Sequence, residues 1–197
     1  PPRSTLFPYT TLFRSEASMQ ADFTALLMEK LSALKIDTAF DTCGQASQVN
    51  FAKILPHSDL VLYDLKLIDS NEHRRWTGSS NEVILANLRF LAGYMKTHQR
   101  PGRLWIRTPI IPGVTATQEN IMGIGSFIAE NLSQAVERWE LLAFNNLCRD
   151  KYVRLGKKWA FSETPLCGKD ELATMLQAAR ESGVNPEIVT LTGSAAL

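Results

Sequence analysis

Four short apolar runs in this chain each end in residues that can ionise or hydrogen-bond. They are Asp41-Thr42, Asp64 with Lys66, Arg107-Thr108, and Asn145-Asn146. Asp64 and Lys66 are two apart, so on an extended strand both point to the same side. A carboxylate and an ammonium on an inward face are costly without a polar ligand or partners. Taken singly, Asp64-x-Lys66 reads as a local ion pair, Asp41 as a helix cap and Arg107 as a surface residue. Four such groups at four consecutive run ends read better together, as one ligand site. The set suits a zwitterionic, hydroxyl-rich small molecule, with carboxylates for an ammonium or ribose hydroxyls and cations for a carboxylate.

The elements that position these groups alternate along the chain. Phe23, Leu26, Leu27, Leu31 and Leu34 fall at helical spacing and form one stripe. The pattern then predicts a strand over 36–40, a helix over 45–55 ending before Pro56, and a strand over 60–63 that is apolar on both faces. A polar loop over 69–81 precedes a strong helix from Glu82 to about Lys96. Further strands are expected at 104–106, 138–142 and 187–191, and helices from Thr117 to about Asn131 and over 167–182. Repeated strand–helix units with short apolar strands indicate an α/β fold with a parallel sheet, wound open or as a barrel. In such folds the ligand lies at the carboxyl ends of the strands.

Composition excludes several classes. A net charge of +1 over 197 residues gives no basic footprint for nucleic acid. No apolar run approaches the roughly 20 residues that span a bilayer. Three scattered cysteines, Cys43, Cys148 and Cys167, suit reduced thiols in a cytoplasmic protein better than a disulfide framework. Gly123-Ile124-Gly125 lies inside a helical pattern, which argues against a phosphate loop. His57, His73 and His98 are isolated and read as solvated. The first fifteen residues, with Thr-Leu-Phe at Thr5 and again at Thr11, resemble the translation of a sequencing adapter and are read as non-native. Without their Arg3 and Arg14 the net charge passes from +1 to −1. Residues 16–197 are then expected to form one truncated core with a C-terminal extension.

Several stretches, in order, resemble the activating enzymes of glycyl-radical enzymes, of the radical S-adenosylmethionine superfamily. They are Asp41-Thr-Cys-Gly44, Asp59 to Lys66, Thr77-Gly-Ser-Ser-Asn81, Trp105-Ile-Arg107 with Ile111-Pro-Gly113, and Glu140-Leu-Leu142 followed by Lys151-Tyr152 and Arg154-Leu-Gly156. The resemblance implies a partial (β/α) barrel, here without its first strand–helix units, a 4Fe-4S cluster and S-adenosylmethionine. One electron from the cluster would yield a 5′-deoxyadenosyl radical, which takes hydrogen from a glycine of the partner enzyme; flavodoxin or ferredoxin would supply the electron. By motif match, Asp64 and Lys66 would contact S-adenosylmethionine, Asp41 and Thr42 would sit at its methionyl end, and Arg107 would be a further contact. Glu16 matches the acid of the family's Gly-Gly-Glu motif, with Arg14 and Ser15 where the glycines belong. Asn145 stands where many relatives have the histidine of a Pro-Tyr-His stretch. No Cys-x-x-x-Cys-x-x-Cys is present, so no residue is assigned to the metal and none to catalysis, and the chain is expected not to bind the cluster. Two other readings stay open: a non-catalytic module that keeps the cofactor wall, and an unrelated barrel fragment that binds a phosphorylated metabolite.

Overall fold

The computed structural model describes residues 16–132 and 134–193; the adapter-like stretch lies outside the described residues. Five strands, β1 (Ala39–Thr42), β2 (Leu60–Asp64), β3 (Arg103–Ile110), β4 (Arg138–Ala143) and β5 (Val189–Thr192), form one sheet. The sheet has the order β1-β2-β3-β4-β5, and every neighbouring pair is parallel. Among the described residues α1 (Ala21–Ala33) precedes the first strand, and α2 (Gln48–Ile54), α3 (Ser70–Thr77), α4 (Glu82–Met95), α5 (Gln118–Asn131), α6 (Arg149–Arg154) and α7 (Lys169–Glu181) lie in the connections between strands.

This order determines the architecture. Crossovers between adjacent parallel strands are right-handed as a rule, which stacks successive helices on the same face of the sheet. The strands record the result as an alternation of burial. Val61, Tyr63, Leu104, Ile106, Trp139 and Leu141 are fully buried against the helices. The intervening residues Leu62, Asp64, Trp105, Arg107 and Glu140 are only half-buried. A parallel sheet covered on one face and curling about the other is a partial (β/α) barrel, as the resemblance implies.

Local sequence accounts for the element ends. Ser47 Oγ accepts from Asn50 N at the start of α2, and Thr117 Oγ1 accepts from Asn120 N at the start of α5, the cap expected there. Gly123 and Gly125 sit within α5, where they serve packing. A Cβ at position 125 would lie 1.7 Å from Ser182 Oγ, and one at 123 would lie 2.7 Å from Ile68 Cγ2.

Several expectations are corrected. The first strand begins at Ala39 rather than at residue 36. Helix α2 begins at Gln48 rather than at residue 45 and stops at Ile54, before Pro56 as expected; Leu55–His57 follow as a 3-10 turn with Pro56 at its start, where a missing N–H costs nothing. Strand β3 runs to Ile110, well beyond residue 106. The expected polar loop over 69–81 contains α3, because Asp69 accepts from Asn71 N and Glu72 N and Gly78, at φ 85°, closes the helix. Helix α6 was not foreseen. The apolar stripe of α1 is not turned inward: Ala21 and Met28 are buried, whereas Phe23 is 63% exposed and Leu26, Leu27 and Leu34 are also exposed. Phe23, Leu27, Met28 and Leu31 of this helix, with Ala39 and Phe40 of β1, line a groove of about 420 Å³.

Candidate functional site

Register brings the charged residues together. Asp64, the last residue of β2, pairs directly with Arg107 of β3, and Asp41 of β1 sits one strand further along. All three side chains lie on the half-buried face, at the carboxyl end of the sheet. Arg107 is the centre of the group. Its Nη2 lies 2.8 Å from Asp64 Oδ1 and its Nε 3.0 Å from the same atom, and Nη2 also donates to Asp41 Oδ1. Lys66 Nζ is 3.3 Å from the other Asp64 oxygen, with the lysine only 7% exposed. Burial alone would lower the Arg107 pKa, but Asp64 and Asp41 outweigh it and hold the guanidinium more firmly charged than usual.

A second carboxylate binds the loop after β1. Glu16 Oε2 accepts from Cys43 N at 2.9 Å, and Oε1 accepts from Thr42 Oγ1 and from Ser18 Oγ. Thr42 Oγ1 in turn accepts from Gly44 N at 3.0 Å. Gly44 has φ 77°, and a Cβ there would overlap Tyr63 Oη at 1.8 Å, so this turn requires glycine. Burial, followed by the Glu16 charge, pushes the Cys43 thiol up to about 12, which keeps it protonated and unreactive at neutral pH.

Five of the seven residues singled out from sequence, Asp41, Thr42, Asp64, Lys66 and Arg107, therefore share one end of one sheet, and Glu16 is hydrogen-bonded into its rim. Asn145 is placed apart. It is exposed in the loop after β4, its Oδ1 accepts from Leu147 N at 3.2 Å, and no hydrogen bond among the described residues joins it to the charged group.

Other participants were not foreseen. His73, expected in solvent, is buried on α3, because its Nδ1 sits 2.7 Å from the Ser79 carbonyl and 3.0 Å from Thr77 Oγ1. Burial lowers its pKa, the Ser79 contact opposes this, and Lys66 adds to the lowering. Asn81, Asn87 and Asn120 are buried too. Their signal in the sequence was slight: Asn87 shares the buried stripe of Ile84, Leu88 and Leu91, and Asn120 that of Ile121, Ile124 and Ile128. An amide in such a stripe needs a buried partner. On the same half-buried face, Arg138 lies over the Trp105 ring at 4.0 Å, and Trp105 Nε1 donates to Glu137.

The cluster sets half-buried carboxylates at Asp41 and Asp64 beside cations at Arg107 and Lys66, an arrangement of alternating charge at one end of the sheet. The thiols do not form a metal centre. Among the described residues no three His, Cys, Asp or Glu side chains converge to hold a metal ion. No helix among them is long and apolar enough to cross a membrane.

No family model matches the chain. Individual proteins do. The trans-4-hydroxy-L-proline dehydratase activating enzyme of Clostridioides difficile is 31% identical over 169 residues, which are 85% of this chain and 53% of that protein. The pyruvate formate-lyase 2-activating enzyme of Escherichia coli (strain K12) is 30% identical over 175 residues, 88% of this chain and 56% of that protein. The chain thus spans about half the length of these curated relatives. Among solved structures, a domain of pyruvate-formate lyase-activating enzyme from Bacteroides vulgatus superposes with a TM-score of 0.72 at 23% identity, covering 91% of this chain and 96% of that one. Streptococcus suis SuiB bound to S-adenosylmethionine superposes with a TM-score of 0.59 at 15% identity, over 86% of this chain and 34% of that one. At these identities the superpositions show a shared fold.

Proposed function

This chain belongs to the glycyl-radical enzyme activating enzymes, on the radical S-adenosylmethionine fold, and on that premise we propose that its charged strand ends form one wall of an S-adenosylmethionine pocket. The observation that carries the proposal is the single cluster made by Asp41, Asp64, Lys66 and Arg107 at the carboxyl end of a parallel sheet. In this reading Lys66 and Arg107 face the methionyl carboxylate or orient the acids, and Asp64 and Asp41 accept from ammonium or ribose hydroxyl groups. Glu16, with Thr42, closes the methionyl end. Asn145 belongs to the far side and would reach the ligand only from its exposed loop. With a reduced 4Fe-4S cluster beside it, bound S-adenosylmethionine would take one electron and split its sulfonium bond into methionine and a 5′-deoxyadenosyl radical, the species that would abstract hydrogen from a glycine of a partner glycyl-radical enzyme.

A 4Fe-4S cluster needs closely spaced thiolates, which these residues do not provide. The proposal therefore assigns this chain the cofactor wall and derives no electron transfer through it. The same observation favours one second reading, a module that binds without chemistry; iron and sulfide reconstitution giving a stable cluster spectrum would exclude it.

The test is calorimetric titration of S-adenosylmethionine into the chain and into Asp64→Ala and Lys66→Ala. Losing one charge-assisted contact is worth about 1.5–3 kcal/mol, so each variant should bind at least about tenfold more weakly. Unchanged affinity in both would overturn the assignment.

A further inference from the structure

The segment that carries Lys66 leaves the sheet after Leu65, whose N–H still donates to Arg107 O of β3 at 3.0 Å, and each carbonyl from Leu65 to Ile68 meets a side chain. Thr108 Oγ1 donates to Leu65 O at 2.8 Å. Asn120 Nδ2 donates to Lys66 O at 3.0 Å and, on the other side, to Thr115 O at 3.1 Å. Asn81 Nδ2 donates to Leu67 O at 3.0 Å and Ile68 O at 2.7 Å. Asn120 Oδ1 completes the set by accepting from Ile68 N at 2.9 Å. The loop after β1 is held in the same way, because Asn87 Nδ2 donates to Gly44 O and Ala46 O, both at 2.8 Å. All three carboxamides are buried, at 1%, 1% and 6% exposure for Asn81, Asn87 and Asn120.

An amide in an apolar helix face carries a desolvation penalty that a leucine would avoid. Here each amide donates to backbone carbonyls of the two loops that present the charged residues, Asn120 also to Thr115 O in the loop after β3, and none donates to the remote end of the sheet. From this we infer that Asn81, Asn87 and Asn120 are positioning residues, which act through the main chain to set Lys66 beside Asp64 and to hold the Asp41-Thr42 turn. They touch no ligand themselves. The inference deepens the proposed function and rests on it for the identity of the ligand; the clamping of the two loops stands on the hydrogen bonds alone.

Backbone amide exchange without ligand tests the clamp. Asn81 bonds to neither Leu65 N nor Ile68 N, so a change at those amides reports the ordering of the segment rather than a broken bond. Asn81→Ala should raise exchange at Leu65 and Ile68 about tenfold and leave residues 43–46 unchanged, whereas Asn87→Ala should do the reverse. Leu172→Ala, a buried truncation in α7, lowers stability without this pattern and serves as the control. Exchange that is unchanged at both loops, or that rises evenly through all five strands as in the control, overturns the inference. If Asn81→Ala does not fold, Asn81→Ser is read by the same criterion. S-adenosylmethionine titration then separates the two claims. Weakened binding in Asp64→Ala with full affinity in Asn81→Ala would overturn the positioning role and leave the pocket assignment intact. Full affinity in Asp64→Ala and Lys66→Ala would remove the assignment, while the exchange pattern would still decide the clamp.

Discussion

On the β1–β3 side of the sheet mouth, Arg107 meets Asp41 and Asp64 on the two strands beside it, Lys66 meets Asp64, and the loops behind them are pinned by buried amides. On the β4–β5 side, Asn145 and Asn146 lie exposed beyond the last residue of β4, and Asn145 bonds within its own turn. The two sides come from one sheet and one repeating unit, so the contrast isolates what a parallel ladder does for a polar site. Asp41, Asp64 and Arg107 are themselves strand residues, and register sets them side by side. Asn145 lies two residues beyond its strand, where position depends on the loop.

The sharpest way to break this comparison is to remove the central cation. Arg107→Met leaves Asp41 and Asp64 facing each other with no guanidinium between them. Breaking a buried pair costs about 3–5 kcal/mol, and with these groups partly open to solvent the expected loss is about 2–3 kcal/mol in urea unfolding. A loss below about 1 kcal/mol would mean that the pairing contributes little.

A smaller effect comes from His73, which ties α3 to the same side. Its folded pKa lies below the ordinary 6.5, so the unfolded chain takes up the proton first. The stability linked to this group is complete above pH 6.5 and is lost as the pH falls from there toward the folded value. His73→Asn, whose amide can still donate to the Ser79 carbonyl, should show a weaker decline of the urea midpoint between pH 7 and pH 5 than the unchanged chain. Parallel declines would count against the buried, neutral imidazole.

The smallest effect belongs to the far side. Asn145→Ala should alter stability by no more than about 0.5 kcal/mol, as for an exposed residue outside any network. A loss above about 1 kcal/mol would show that the β4 loop is held as firmly as the others.

Much of the β1–β3 side was legible in the sequence because period and position coincide there. An apolar run followed by Asp64-x-Lys66, or by Arg107, announces both the strand and the group at its end. The parallel α/β class followed from the alternation itself. What stayed hidden depends on tertiary partners. Nothing local distinguishes His73 in solvent from His73 against the Ser79 carbonyl, and Asp69 as a cap with Gly78 as a stop was read as loop chemistry when it delimited α3. The stripe of α1 was legible as amphipathic, but periodicity does not say which surface covers it, and in this structure Phe23 and Leu27 face the groove beside β1. Asn87 and Asn120 sit at stripe positions where an apolar residue would complete the pattern, so their interruption of it was the available sign.

Helix α4 carries one clamp as the residue at its start and the other six residues later. At a rise of 1.5 Å per residue these points are about 9 Å apart along the axis. The spacing between the β1 turn and the β2 tail is thus metered by the pitch of a helical backbone, a length that neither side-chain rotamers nor surface loops can alter. A change that slides α4 along its axis would move its contacts to both loops together, Gly44 and Ala46 with Leu67 and Ile68, and leave the spacing between those contacts unchanged.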